Sequence, residues 1–200
     1  MCTIYISHFQ KTEKNKYQTE HKAGLKLLSY ALSDYAGISM TEKELTADIQ
    51  KETHGKPFLK SHKNICYNIS HCKDMVACGI SDSPIGVDLE AIDSFLESIL
   101  RRTLTPAEKD FLNQMSVDEA SRQEWFFRFW TLKESYIKHS GIGLTKPLTD
   151  FSFTFDLTQA PYAISCSQEG VYFTQHKIQD SYMLALCTSV PQTDVSLIYV

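Results

Sequence analysis

The sequence predicts an α+β fold in which two similar halves each pack one long helix on an antiparallel sheet. In each half a helical segment is followed by a Lys-Pro pair and then by a β-hairpin. The strand candidates 75–81 and 183–189 are identical at three of seven positions. This repetition predicts an N-terminal half, residues 1–96, and a C-terminal half, residues 97–200, related by pseudo-twofold symmetry. An active site at the interface of the two halves would follow.

The first half begins with a strand candidate and continues with a helix at about residues 22–36. Leu25, Leu28 and Leu32 recur at helical spacing and predict the buried face of this helix. Residues 65–90 then contain three strand-like runs separated by short turns. This pattern predicts an antiparallel meander of three neighbouring strands.

The second half begins with helices. Thr105 and Glu108 form a capping-box pattern around Pro106, which predicts the start of a helix. The longest helix is predicted at about residues 118–140, with Gly141 as its stop signal. Four further strand candidates follow, near residues 151–156, 162–166, 171–178 and 182–189.

The composition excludes several classes of protein. Of the 200 residues, 42% are hydrophobic and 22% are charged, and the net charge of −4 argues against a nucleic-acid-binding protein. The sequence contains no run of apolar residues long enough to span a membrane, and its first residues do not resemble a signal peptide. We therefore expect a cytoplasmic protein whose six cysteines are reduced thiols. Their spacing to the histidines matches no common zinc module.

Two carboxylates stand out in the third strand of the predicted meander. Asp88 and Glu90 are two residues apart, so both side chains leave the same face of the strand. Adjacent carboxylates repel each other unless a cation lies between them, and their hard oxygen ligands suit Mg²⁺. The alternative is an exposed polar strand face without a ligand.

A third carboxylate lies on the longest predicted helix. Glu134 and Lys138 are four residues apart and share a helix face with Trp130. An ordinary surface ion pair is one explanation. The aromatic residues that precede this pair favour a second one, in which Glu134 and Lys138 lie at the edge of a packed interface.

Other residues have the chemistry to bind phosphate. Ser70 and His71 end a predicted strand, and Lys56 follows a flexible glycine. Hydroxyl, imidazole and ammonium groups can all donate hydrogen bonds to phosphate oxygens. A Ser–His nucleophile pair is not expected, because neighbouring strand residues point to opposite faces.

Together these motifs resemble those of the 4′-phosphopantetheinyl transferases, specifically the two-halved, monomeric Sfp type. The motifs that carry the resemblance are Gly55-Lys56-Pro57, Asn68-Ile69-Ser70-His71, Gly86-Val87-Asp88-Leu89-Glu90, residues 130–138 and Gly141-Ile142-Gly143-Leu144. The resemblance extends from about residue 20 to residue 190. It implies transfer of the 4′-phosphopantetheine arm of coenzyme A to a serine of an apo acyl or peptidyl carrier protein, with release of adenosine 3′,5′-bisphosphate.

The resemblance also implies a role for each site residue. The implied Mg²⁺ ligands are Asp88, Glu90 and Glu134. Glu134 would also accept the serine proton, and Lys138 would neutralise the leaving phosphate. The residues implied to hold pyrophosphate or nucleotide oxygens are Lys56, Ser70, His71 and Lys133. Lys22 would meet the 3′-phosphate, with a lysine where the family has an arginine, and Lys16 is a second candidate for that contact.

Two other classes of function use the same residues. A Mg²⁺-dependent phosphohydrolase would need the carboxylates and water but no carrier protein. It would leave Lys56, His71 and the basic first helix unexplained. An inactive binding module would be expected to have lost a carboxylate or Lys138, and the sequence retains them all.

Overall fold

The structure is a computed structural model that describes residues 2–10, 16–192 and 195–200, with only the backbone described for Lys16 and Leu144. It is a mixed α+β fold, as predicted. The helices are α1 (Lys16–Ala36), α2 (Glu42–Asp48), α3 (Glu97–Thr103), α4 (Pro106–Met115) and α5 (Glu119–Ser140). The strands are β1 (Cys2–His8), β2 (Ile49–Lys51), β3 (Pro57–Leu59), β4 (Cys66–Cys72), β5 (Met75–Ser81), β6 (Ile85–Ala91), β7 (Phe153–Asp156), β8 (Ala163–Cys166), β9 (Tyr172–Ile178), β10 (Tyr182–Thr188) and β11 (Val195–Tyr199). Within the described residues, no helix is both long and apolar enough to cross a membrane.

Two sheets form the centre of the molecule. The first has the strand order β11-β1-β5-β4, with β11 parallel to β1 and the other pairs antiparallel. The second is antiparallel, with the order β6-β10-β9. The trios β1-β5-β4 and β6-β10-β9 share one arrangement. In each trio, the strand that comes last in the sequence lies in the centre. The hairpins β2-β3 and β7-β8 lie outside these sheets.

The predicted three-stranded meander is wrong in its third strand. β4 and β5 pair as expected, but β6 pairs with β10 in the second sheet. The reason is that β5 has β1 on one edge and β4 on the other, so it has no free edge for β6. Sheet membership therefore changes between Ser81 and Ile85, whereas the predicted boundary between the halves lies between residues 96 and 97.

The described residues form a core of three apolar clusters in a helix–sheet–sheet–helix arrangement. One cluster lies between the two sheets and includes Ile4, Leu89 and Leu184. A second lies between the first sheet and α1, and a third packs around α5. Burial of these side chains is the main favourable contribution to folding.

The boundaries of α5 agree with the predicted helix. The Asp118 side chain accepts a hydrogen bond from the Ser121 N–H, and Gly141 ends the helix with a φ of 67°. Such left-handed backbone geometry favours glycine.

Gly86 allows β6 to lie directly against α5. A Cβ atom at this position would lie 2.1 Å from the Ser135 carbonyl oxygen and 2.3 Å from the His139 nitrogen. Any larger residue would separate strand and helix. This close approach brings the side chains on the outer face of β6 to those of α5.

Candidate active site

The predicted carboxylates of β6 and α5 meet at this contact, beside the end of β4. The Lys138 ammonium lies 2.7 Å from Asp88 Oδ1 and donates to Ser70 Oγ at 2.9 Å. The Ser70 hydroxyl donates to Asp88 Oδ1 at 3.2 Å. Glu90 and Glu134 lie close enough to interact electrostatically with Asp88 and Lys138. We call Asp88, Glu90, Glu134 and Lys138 the carboxylate cluster.

The carboxylate cluster holds three acidic groups and one basic group. Burial raises the pKa of Glu134 to about 7, and the negative charge of Asp88 adds to this shift, while Lys138 opposes it. Burial, followed by the charge of Asp88, also raises the pKa of Glu90. When all three carboxyl groups are ionised, the single ammonium group of Lys138 leaves the cluster with a surplus of negative charge.

The donor set fits a hard divalent cation. Asp88 is buried, and its Oδ2 atom has no hydrogen-bond partner. Carboxylate oxygens are the ligands that Mg²⁺ prefers, and a divalent charge would balance the surplus negative charge. In residues 2–10, 16–192 and 195–200, no three acidic, histidine or cysteine side chains are already arranged as a metal site. Metal binding would thus require the carboxylates to converge, and Lys138 is the cation that now contacts Asp88.

Side chains of β4 hold the backbone of β6. The N–H groups of Val87, Leu89 and Ala91 donate to side-chain atoms of β4. Their acceptors, in the same order, are Asn68 Oδ1 at 2.8 Å, Ser70 Oγ at 3.1 Å and Cys72 Sγ at 3.3 Å. We call these three contacts the side-chain ladder. This role was not predicted from the sequence, although polar residues alternate along β4.

Ser70 and His71 lie on opposite sides of β4, as strand geometry requires. Ser70 is buried and faces β6, where it contacts Asp88, Lys138 and the Leu89 N–H. His71 is exposed and its Nδ1 atom lies 3.8 Å from Glu20 Oε2 of α1. Only Ser70 of the two therefore belongs to the surroundings of the carboxylate cluster.

Lys56 lies beyond the C-terminal end of α5. Its ammonium donates to the His139 carbonyl oxygen, and its methylene groups lie beside Gly141. Burial lowers the pKa of Lys56. The structure thus brings Lys56 to the last turn of the helix that carries Glu134 and Lys138, where its ammonium contacts the residue that follows Lys138.

Lys22 lines a different cavity. This cavity, of about 710 Å³, lies beside the β1 side of α1 and also contains Lys26, Ser7 and Phe9. The structure does not bring Lys22 to the carboxylate cluster. The side chain of Lys16, the second candidate for the same role, lies outside the described residues.

Lys133 lies in the core of the second half. Its ammonium is fully buried, 2.9 Å from Glu108 Oε2, and it donates to the carbonyl oxygens of Leu148 and Phe151 at 2.7 Å each. These three acceptors use all the donors of an ammonium group. The structure therefore does not support the expected contact of Lys133 with phosphate. Helical spacing set its direction, but the loop after α5, which covers it, was not predictable from that spacing.

A groove of about 670 Å³ begins at Glu90. Its walls come from the segment around α3 and from α5, and they combine aromatic with basic side chains. Phe95, Phe127 and Trp130 supply aromatic surface, and Arg101 supplies positive charge. The groove was not predicted from the sequence, because its residues come from two segments about 30 positions apart.

The chain belongs to the 4′-phosphopantetheinyl transferase superfamily, whose family model matches residues 84–187. It is 29% identical over 159 residues to a 4′-phosphopantetheinyl transferase of Bacillus subtilis. This match covers 79% of this chain and 66% of that protein. It is 28% identical over 148 residues to the 4′-phosphopantetheinyl transferase Sfp of Bacillus subtilis (strain 168), which covers 72% of this chain and 65% of Sfp. The resemblance to the Sfp type is thus confirmed.

The chain spans slightly less than two thirds of the length of these two relatives. A solved structure of a holo-(acyl-carrier-protein) synthase from Bacillus anthracis, in complex with CoA, has a TM-score of 0.45 with this structure. The sequences are 20% identical, and the match covers 52% of this chain and 93% of that one.

Proposed function

We propose that this protein transfers the 4′-phosphopantetheine arm of coenzyme A to a serine of an apo acyl or peptidyl carrier protein, with Mg²⁺ as cofactor and adenosine 3′,5′-bisphosphate as second product. Membership of the superfamily and the names of its relatives support the reaction class. The observation that carries the proposal is the carboxylate cluster. It combines surplus negative charge, an unpartnered buried carboxylate oxygen and an adjacent ammonium group.

The residues of the cluster divide the chemistry between them. The serine oxygen attacks the β-phosphorus of coenzyme A, and the bond from that phosphorus to the leaving phosphate breaks. Glu134 accepts the serine proton, and Lys138 stabilises the negative charge that develops on the leaving phosphate. Asp88, Glu90 and Glu134 would hold Mg²⁺, which supplies positive charge to the pyrophosphate when bound.

The acceptor protein and the nucleotide need separate surfaces. The groove that begins at Glu90 leads directly to the cluster, and its aromatic and basic walls suit a protein partner. Lys22, Lys56 and His71 remain candidates for contacts with the more distant phosphates of coenzyme A. The common strand order of the two sheets supports a pseudo-twofold relation, with the site between Ser70 of one sheet and β6 of the other.

We expect a cytoplasmic monomer. All six cysteines are free thiols, three of them buried in the core, which suits a reducing compartment. We expect no binding of nucleic acid, because the net charge of −4 would repel the phosphate backbone.

The test is mass spectrometry of apo carrier proteins incubated with this protein, coenzyme A and Mg²⁺. The expected result is the gain of one phosphopantetheine on a serine, and its loss in Asp88→Asn, which keeps the side-chain shape but removes a charged ligand. A protein that cleaves coenzyme A equally fast without a carrier protein would instead be a phosphohydrolase.

The nucleotide contact of Lys22 has its own test. Only coenzyme A, and not 3′-dephospho-coenzyme A, carries the 3′-phosphate, so Lys22→Ala should weaken the binding of the first compound more than that of the second. Calorimetry with both compounds measures this difference. Equal weakening would assign the 3′-phosphate to another basic residue, with Lys26 of the same cavity as the next candidate.

A further inference from the structure

β4 and β6 run side by side although, in the part of the chain that the structure describes, no backbone ladder joins them. There β4 pairs with β5, and β6 pairs with β10. The contact between the two sheets at this edge instead depends on the side-chain ladder from Asn68, Ser70 and Cys72. Because a side chain can be replaced while a backbone group cannot, single substitutions can weaken this edge selectively.

Asn68 makes the shortest of the three contacts. Its Oδ1 atom lies 2.8 Å from the Val87 nitrogen, and both residues are buried. Ser70 also touches Asp88 and Lys138 directly, and the sulfur of Cys72 is a weak acceptor at a longer distance. Asn68 is thus the member of the ladder that holds β6 firmly without touching the carboxylate cluster.

Val87 immediately precedes Asp88, so the hydrogen bond from its N–H fixes the backbone at the base of that carboxylate. Without the Asn68 oxygen, the buried Val87 N–H would have no acceptor, and β6 would be expected to shift towards another acceptor or water. A shift along β6 would change the distances from Asp88 to Ser70 and Lys138. Substitution of a group that holds a metal ligand in place commonly lowers metal affinity by about 10–100-fold.

We infer that Asn68 is a positioning residue for the Asp88–Glu90 pair, and that it acts through the backbone of β6 to set the affinity of the site for its divalent cation. This inference rests on the proposed function, because it assumes that the pair binds a cation. It assigns to the first sheet a part in building a site whose carboxylates all belong to β6 and α5.

The experiment compares three variants of the full chain. Asn68→Leu keeps the branched shape but removes the acceptor oxygen, while Asn68→Asp keeps an oxygen at the same position. Ile69→Ala is the matched control, because Ile69 lies on the other side of β4 and packs against Gly24 of α1. Three properties are measured. The first is the melting temperature, and the second is the rate of hydrogen exchange of the Val87 amide. The third is the binding of Mn²⁺ in the presence of coenzyme A, followed by the electron paramagnetic resonance signal of the free ion.

Asn68→Leu should bind Mn²⁺ about tenfold more weakly than the unmodified protein and exchange the Val87 amide faster. Asn68→Asp should retain the slow exchange and bind Mn²⁺ at least as tightly, since it keeps the acceptor oxygen and any charge it adds is negative, which attracts a cation. Ile69→Ala should melt earlier and leave Mn²⁺ affinity within about twofold.

Normal Mn²⁺ affinity in an Asn68→Leu protein that melts early would reduce Asn68 to a purely structural residue. Equal losses of affinity in Asn68→Leu and Ile69→Ala would attribute the effect to general loosening of β4, and would also overturn the inference. If the unmodified protein binds no Mn²⁺ and modifies no carrier protein, the proposed function itself fails and the inference fails with it.

Discussion

The ammonium of Lys138 lies 2.7 Å from Asp88 Oδ1 and makes its second contact with the Ser70 hydroxyl. The two charges are only partly shielded, since Asp88 is buried and about a quarter of the Lys138 side chain is exposed, at 28%. The lysine therefore stabilises Asp88 by the same attraction that a metal ion would use. Cation binding and this ion pair should compete for the same carboxylate.

Lys138→Met should raise the affinity of the protein for divalent cations and lower the rate of transfer. The affinity for the cation should rise about tenfold, because the substitution removes the positive charge of Lys138 that lies within 4 Å of Asp88. Turnover should fall because the leaving phosphate loses its neutralising partner. Mn²⁺ titration and the initial rate of carrier-protein modification measure the two effects.

Lys73→Met is the control for this comparison, since the Lys73 ammonium binds Asp93 at an exposed site, 2.8 Å away. It removes the same charge and should change neither property more than about twofold. Weaker metal binding in Lys138→Met would show that Lys138 supports the metal ligands and does not compete with a cation.

Lys133 is expected to affect folding and not phosphate binding. Removing one partner of its fully buried ion pair with Glu108 leaves an uncompensated charge, so Lys133→Met should cost about 3–5 kcal/mol of the free energy of unfolding. The double variant with Glu108→Leu should recover part of this loss, because both charges are then absent. Urea denaturation measures the stabilities.

Coenzyme A affinity provides the decisive second measurement for Lys133. At a temperature where the double variant is folded, its affinity for coenzyme A should equal that of the unmodified protein. A tenfold weaker affinity in a normally folded double variant would restore the phosphate-binding role that the sequence pattern indicated.

Local patterns predicted much of this molecule correctly, and the failures share one cause. The capping boxes, the ends of α5 and the common face of Asp88 and Glu90 depend on residues a few positions apart, which a sequence reveals directly. The partner of β6 depends on which edges of β5 are already occupied. The burial of Lys133 depends on a loop about 15 residues later in the chain, because periodicity gives the direction of a side chain but not what covers it.

Gly86→Ala should damage the site although Gly86 has no side chain that could take part in the chemistry. The added Cβ atom would meet backbone atoms of α5, which cannot rotate away as a side chain can, so β6 and α5 must separate. We expect a loss of about 1–3 kcal/mol in the free energy of unfolding, as for other overpacked positions. We also expect a loss of transfer activity. Urea denaturation and the rate of carrier-protein modification report both.

Gly24→Ala is the matched control for Gly86→Ala. Its new methyl group would lie 3.2 Å from the Ile69 Cγ2 methyl group, which is a close contact with a side chain and not with backbone, and alanine is favoured within a helix such as α1. It should therefore change stability by less than about 1 kcal/mol. A Gly86→Ala protein as stable and active as this control would contradict the direct contact between β6 and α5.

Glu134 should make the metal-free protein less stable as the pH rises. Its pKa is raised from 4.5 to about 7 by burial and by the charge of Asp88. The folded protein therefore holds this proton more tightly than the unfolded chain. The resulting stability is complete below about pH 4.5 and is lost as the pH rises through about 7. One pKa unit corresponds to about 1.4 kcal/mol, so a rise from 4.5 to about 7 limits the loss for this group to about 3.5 kcal/mol.

Glu134→Gln separates this effect from the titration of all other groups. The amide cannot ionise, so the variant should lose less stability than the unmodified protein between pH 4.5 and 7, and the two curves should diverge over that range. The measurement is the urea midpoint as a function of pH with divalent cations chelated. Glu169→Gln, at an exposed turn, is the control and should follow the unmodified protein.

Added Mg²⁺ should restore stability at pH 7 to the unmodified protein more than to Glu134→Gln, because the cation favours the ionised carboxylate that burial disfavours. Parallel curves for the unmodified protein and Glu134→Gln would mean that Glu134 ionises in the folded protein at little cost, and would contradict the raised pKa of this carboxyl group.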